Sequence, residues 1–554
     1  MGWNKNNYYL PTYIPPRSVS NSGGIARIRH NQNRNYLFEN TATYSFEDGD
    51  HSLKILAGYT RQKTTSTMTM ATGEGYPNDV LTFNNLSLGA DPESNLIGSN
   101  YAQRTYTSIL SRINYGYMDR YFLTLVARRD GSSVFETGNK YATFPSIGAA
   151  WIVSEEDFMQ NQDVISNLKL RASYGIVGEQ GVPPYNSFAR YNDEPMFLND
   201  SRLNTVLLSS IPSQGLEWEK TYQSDFGLEI GFANNRYSLE FDYYEKRTED
   251  LLLEKPLPYT AGSSRLENVG EIENKGFELS ISSVNIEKAD FVWSTSLSLS
   301  QNKSELISLG DGQDYIELDD VVAAGNGSPI RLTPGYPIPS FWGANNLGTY
   351  KTRSEIDADG RFGTSFLGGP RLEDQNGDGT WNSLDYVYQG SPEPDLFGGI
   401  RNVFSYKKWT LDTFAHFSIG NTMFNGSVAE SYYARGAYLN LLPELKDRWT
   451  EENNMSDIPR AGTAFGTYVT NNETSFQDGS FFRLKNVTLT YDLDNPPFVR
   501  DASIYLSAQN LLLISDYKWG DPEVSQYGNQ LNRGVSDSSY PYSTSVSLGL
   551  NIKF

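Results

Sequence analysis

Cysteine is absent from the 554 residues, and histidine occurs only at His30, His51 and His416. A chain without thiols has no thiolate metal site, no cysteine nucleophile and no disulfide framework. The three histidines are too far apart in sequence to form a local zinc pair one helical turn apart, so zinc hydrolase chemistry is not expected. Cationic charge is also short: 45 Lys and Arg face 66 Asp and Glu, a net charge of −21. That balance argues against a nucleic-acid binder that works by neutralising phosphates, and against an anionic substrate. No uncharged apolar run approaches the ~18 residues of a membrane-spanning helix. Ile147 to Val153 is typical of the short pieces present. Met1 to Leu10 has no apolar stretch of the kind a signal peptide carries. Phosphate loops, nucleophile elbows and dinucleotide fingerprints are missing too, and the chain is expected not to be an enzyme.

What the chain has instead is aromatic side chains, 37 Tyr, 28 Phe and 9 Trp, and alternation. Tyr542, Thr544, Val546, Leu548, Leu550, Ile552 and Phe554 alternate with Ser543, Ser545, Ser547, Gly549, Asn551 and Lys553. Successive side chains of a strand point to opposite faces, so this pattern makes one apolar face and one small polar face. Leu168 to Tyr174, Tyr237 to Tyr243, Phe291 to Ser300 and Trp409 to Ile419 repeat it. About fifteen such strands can be counted, many longer than the ~5–6 residues usual in soluble sheets.

Connection lengths alternate along the chain. Short turns fall at residues 48–50, 118–120, 233–236, 287–290, 407–408 and 494–502, and long Gly/Asn/Ser-rich connections at 66–103, 179–220, 251–274, 305–395, 421–480 and 518–541. Short turns on one side and long loops on the other are the asymmetry of an outer-membrane barrel. The fold class expected is therefore all-β, a transmembrane antiparallel outer-membrane β-barrel, with 1–35 as an extracellular loop or lead-in segment and 36–554 as barrel. Tyr237, Tyr243, Trp293 and Trp409 near strand ends then read as girdle residues at the lipid headgroups.

Longer stretches carry a family likeness. RRDGSSVFETGNKYATFPS from Arg128, SNLKLRASYGIVGEQG from Ser166, NVGEIENKGFELSI from Asn268 and PGYPIPSFWG from Pro334 resemble the SusC/RagA family of TonB-linked outer-membrane transporters. The resemblance implies an outer-membrane nutrient importer taking up oligosaccharides or peptides. It also implies a plug domain contacted by TonB and a SusD-like surface lipoprotein over the extracellular loops. It covers the later part of the family's barrel, with the plug expected to lie outside this chain. The terminal SVSLGLNIKF is similar to the closing strand of such barrels, which makes Phe554 part of a barrel-assembly signal. The alternative reading is a secreted or surface-bound carbohydrate-binding protein without transport activity.

Within the 305–395 loop, Asp374, Asn376, Asp378, Gly379, Thr380, Asn382 and Asp385 stand at positions one, three, five, six, seven, nine and twelve of a calcium loop. Oxygen ligands alternate in such a loop so that each can face one Ca2+, and the glycine permits the bend. Asp385 replaces the usual Glu, which is similar to the dockerin variant, and the ion expected is a structural clip. An Asx-bonded surface turn is the other reading. Phe341, Trp342 and Trp381, with Tyr386 and Tyr388 nearby, are candidate substrate contacts by stacking, although packing among themselves in a folded loop is the commoner arrangement. Glu155 with Glu156, and Asp319 with Asp320, read as solvated loop charge; the sequons at Asn85, Asn302 and Asn425 as accidents of composition. Counting strands back from Phe554 places Met1 to Asn35 outside the cell, and an odd strand count implies an odd number missing upstream, roughly seven if the family's barrel of about twenty-two applies.

Overall fold

The computed structural model describes residues 2–12, 24–89, 96–198, 201–256, 264–310, 313–318, 328–359, 366–428, 442–461, 474–494, 499–525, 530–536 and 539–553. Asp319, Asp320 and Phe554 lie outside the described residues. One antiparallel sheet of 16 strands carries the fold, hydrogen-bonded in chain order with no crossover. Its strands are β1 (Gly2–Leu10), β2 (Ile25–Asp48), β3 (His51–Glu74), β4 (Leu96–Tyr117), β5 (Tyr121–Ser132), β6 (Tyr141–Ile152), β7 (Ile165–Glu179) and β8 (Glu219–Phe232). They continue as β9 (Tyr237–Pro256), β10 (Ser264–Lys288), β11 (Phe291–Ser308), β12 (Leu396–Tyr406), β13 (Trp409–Ile419), β14 (Phe481–Asp492), β15 (Asp501–Ser515) and β16 (Ser545–Lys553).

Three expectations change. The span expected as a loop or lead-in, 1–35, contains strand: Gly2–Leu10 pairs along Ile25–Asn33, so β2 begins eleven residues before Tyr36. The sequence gives no sign of this strand, since GWNKNNYYL is mostly polar and shows no apolar alternation. It raises the count from about fifteen to 16 among the described residues. The connections expected at 66–103 and 251–274 are partly strand: β3 runs to Glu74, β4 starts at Leu96, β9 runs to Pro256 and β10 starts at Ser264. Threonine-rich β3 and the leucine run 251–253 of β9 extend these ladders without a period-two alternation, so the sequence shows no strand signal there.

The chain divides into two compact units. In the first, Phe46, Leu53, Tyr115 and Leu123 form one cross-strand row and Tyr44, Ile55, Ile113 and Leu125 the next. Its buried core is Val134, Phe135, Phe144, Val182, Leu216 and Trp218. The Trp218 ring lies 5.1 Å from Phe135 and 5.7 Å from Phe144, and its indole N–H donates to the Lys140 carbonyl at 3.2 Å. Gly178 is required there, since a Cβ would sit 1.9 Å from the Phe144 ring.

In the second unit the outward rows can be followed strand by strand. Phe291, Tyr406, Trp409, Tyr491 and Ile504 make the row beside the short turns. Ile281, Leu297, Ile400, Ala415 and Leu484 make a middle row, and Leu279, Leu299, Gly398, Phe417 and Phe482 the one above it. The opposite face carries Ser280, Ser298, Gly399, His416 and Arg483. From Phe291 to Gln301, at ~3.4 Å per residue and a strand tilt near 40°, the apolar rows rise about 26 Å. That height matches the lipid-facing band of an outer-membrane barrel, about 25 Å. Trp293, stacked on Phe404 at 5.5 Å, and Trp409, 4.6 Å from Tyr491, sit at its lower edge.

Candidate functional site

Above strands β11 to β16 the long connections fold together. The strands Ile330–Leu332, Ser340–Gly343 and Val387–Gly390 join Ile316–Glu317 in one small sheet, while Thr422–Asn425 pairs with Phe476–Asp478 and Val535–Ser536 in another. Ile330, Phe341, Phe424 and Val535 bury a shared core, with Leu318 and Phe476 against it. Three connections distant in sequence thus make one folded cap, because each supplies apolar residues that none could bury alone.

Phe341, one of the candidate stacking residues, is enclosed by that core. Its ring is 0 % exposed in that core. Trp342 is half-buried, its ring 4.9 Å from Tyr336 and 6.1 Å from Tyr388, and its N–H donates to Ser340 Oγ at 3.0 Å. Trp381 is half-buried with its ring 6.0 Å from Tyr386. The loop aromatics pack mainly on one another, the arrangement the sequence favoured. Desolvation by the surrounding cap raises the Tyr388 hydroxyl above its ordinary pKa, with the nearby Asp395 and Glu393 charges and Tyr336 adding to it.

Arg331, which no sequence pattern singled out, organises this cluster. Its side chain is almost fully buried, with the guanidinium 4.4 Å from the Tyr315 ring, 4.8 Å from Tyr386 and 5.7 Å from Trp342. It pairs with Glu317 at 2.8 Å and donates to the Ser383 carbonyl. A guanidinium taken out of water needs such a cage of rings, carboxylate and carbonyl to offset its lost hydration.

Ser383 closes the loop that carries the calcium spacing. Asp374 accepts from the Gly377 and Gly379 N–H groups at 2.7 and 2.9 Å, Asn376 from Asp378 N–H at 2.9 Å, and Asp378 from Thr380 N–H at 2.7 Å. Asp385, fully buried, accepts from Gln375 N–H at 3.1 Å and Asn382 N–H at 2.8 Å, and Asn382 from Leu384 N–H at 2.8 Å. Gly377 and Gly379 have φ of +72° and +76°, which their neighbours' side chains would resist. These Asx bonds account for the loop's shape. Among the described residues no three acidic or histidine side chains converge as a metal cluster, although carboxylate, amide and carbonyl oxygens at this spacing are the donor chemistry of a hard cation.

A second charged cluster ties the connection after β15 to the inward face. Arg483 of β14 is 2 % exposed and pairs with Asp521 at 2.5 Å and with Glu523. Glu523 also meets His416 Nε2 at 2.8 Å and Lys485 at 3.6 Å, and the Tyr542 ring covers Lys485 at 4.6 Å. Of the carboxylate pairs set aside earlier, Glu156 accepts from the Trp151 indole at 2.9 Å, a structural bond.

The chain's likeness to known proteins agrees with this geometry. Residues 2–511 match the family described as TonB dependent receptor-like, beta-barrel. TonB-dependent receptor P26 of Formosa agariphila is 39% identical over 562 residues, covering 99% of this chain and 56% of that protein. TonB-dependent receptor SusC of Bacteroides thetaiotaomicron is 30% identical over 485 residues, covering 82% and 44%. The structure of the RagAB peptide transporter superposes with a TM-score of 0.83 at 27% identity, over 100% of this chain and 59% of that one. The chain spans about half the length of the curated relatives it matches. With an apolar band outside, a polar wall inside and long loops at one end, the chain belongs to the TonB-dependent receptor family of outer-membrane β-barrels, homologous to SusC and RagA-like transporters.

Proposed function

We propose that this chain forms barrel wall and extracellular cap of an importer that carries oligosaccharides or peptides across the outer membrane, driven by TonB through a plug domain and assisted by a SusD-like surface lipoprotein. The observation that carries this reading is the division of the sheet into a lipid-facing apolar band and an inner wall of Ser, Gly, His and Arg, which suits a hydrated passage. The exposed parts of the cap, Trp342, Tyr388 and Trp381, are where cargo would first stack. A secreted carbohydrate-binding protein has no use for so continuous an apolar outer face. Deleting the gene in its own organism should abolish growth on one oligosaccharide or peptide source and leave growth on its monomers intact. Unchanged growth on every oligomeric source, with the protein recovered without detergent, would point to the secreted alternative.

Calcium is proposed as a structural clip in the 374–385 loop. A cation that binds only the ordered loop stabilises it by mass action. Adding calcium should slow protease cleavage between Glu305 and Asp395, and D374N with D378N should remove that protection. Equal cleavage with and without calcium refutes the clip and leaves the Asx bonds as the whole account of the loop.

Phe554 is proposed as part of the assembly signal. Its deletion should lower the amount of barrel in the membrane well beyond what one exposed ring, at most about 2–3 kcal/mol of burial, explains. Quantitative blotting of membrane fractions reads the effect, and normal levels remove the idea.

A further inference from the structure

Directly above the apolar band, the outward face of strands β9 to β11 turns abruptly to charge. Phe241 stacks on Phe277 at 6.2 Å, and Phe277 is paired with Gln301. One row higher, Lys275 stands directly opposite Lys303, and one row beyond that Glu273 stands opposite Glu305. Like charges facing each other across an antiparallel pair are destabilising, so each row needs partners from elsewhere. Lys275 has them, Glu273 at 2.8 Å and Glu245 at 3.8 Å. Lys303 has no carboxylate partner among the described residues.

Lys303 instead borders a cavity of about 570 Å³. The cavity exists because β10 and β11 stay paired up to Ser308, whereas β12 joins β11 only as far as Ser300. Above that point β11 pairs with no further strand of the sheet; Glu393 accepts from its Ser304 N–H and the Tyr336 carbonyl from its Leu306 N–H, and Glu393, Tyr388, Ser391 and Asp395 close the space beside it. Gln301 and Glu305 line the same space. Lys303 is two residues above Gln301, the top of the apolar rows, and therefore lies at the level of outer-leaflet headgroups.

We infer that this cavity holds the phosphorylated sugar headgroup of an outer-leaflet glycolipid, with Lys303 on the phosphate. An unpaired ammonium at headgroup depth is placed for a charge-assisted bond to phosphate. Gln301 and the Glu305 and Asp395 carboxylates supply a donor and acceptors for sugar hydroxyls, and the Tyr388 ring a face to stack on. A soluble sugar phosphate offers the same chemistry, but the height of the cavity against the apolar rows favours the lipid-borne form. The inference stands on the membrane-spanning barrel alone and is independent of what is imported.

The test uses the protein extracted from its own outer membrane in a phosphate-free non-ionic detergent, with lipid A titrated and retention read by native mass spectrometry. The wild type retains lipid A. K303Q lowers retention about tenfold, the loss of one charge-assisted hydrogen bond, K303R restores most of it, and E305Q, which removes a neighbouring anion, strengthens it. Unboiled electrophoretic mobility reports whether each barrel is folded, and K303T serves in place of K303Q if the latter fails to fold. Retention unchanged by loss of the ammonium overturns the inference. Glucose 1-phosphate separates the two sources: lipid A retained in its presence supports the glycolipid, and full displacement overturns it.

Discussion

L297R should be among the most damaging single substitutions in the chain, costing about 2–4 kcal/mol of folding stability in a bilayer. Leu297 lies in the middle outward row, between Ile281 and Ile400, where an arginine must stay in hydrocarbon or drag water and headgroups to itself. The adjacent Ser298 points to the opposite face, so S298R meets the hydrated wall and should change stability by less than about 1 kcal/mol. Urea titration of the complete protein refolded into vesicles measures both. A larger cost for S298R than for L297R would mean that the faces have been assigned the wrong way round, and equal costs that the two faces do not differ as lipid and water.

R483M should release the connection after β15 from the inward wall. Removing one partner of a buried ion pair leaves the other charge unpaired, at about 3–5 kcal/mol. Here two carboxylates, Asp521 and Glu523, lose their nearly buried cation together. Lys485 and His416 still reach Glu523 but not Asp521, so R483M with D521N should recover part of the loss. Hydrogen exchange across residues 516–525 reads the release, with the β14 ladder as internal control. Protection unchanged in R483M would show that the connection is held by its cap contacts through Val535 instead.

The cap shows where reading the chain stops. Phe341 and Trp342 are neighbours in one aromatic stretch, equally suited to stacking on cargo, yet the first is buried against Phe424 and Val535 and the second lies half-open beside Arg331. Nothing local distinguishes them, because what buries Phe341 comes from segments about 80 and 190 residues further on. Arg331 sits between Ile330 and Leu332 with no motif around it, and its cage is drawn from Tyr315, Glu317 and Tyr386. The tight turn over 374–385 was legible because its hydrogen bonds are local, each spanning ten residues or fewer.

Strand existence, the assignment of faces and the alternation of short and long connections were determined by the sequence itself. A period of two and a tight turn are properties of adjacent residues, and a lipid-facing row must be apolar whatever its neighbours are. Polar β1, the continuation of β3, β4, β9 and β10 beyond the band, the buried arginines and the Lys303 cavity were decided only by tertiary structure. Each depends on a ladder or charge contact with another strand or connection, such as His416 with Glu523 across 107 positions, and the pairing that brings such residues together is a property of the whole sheet.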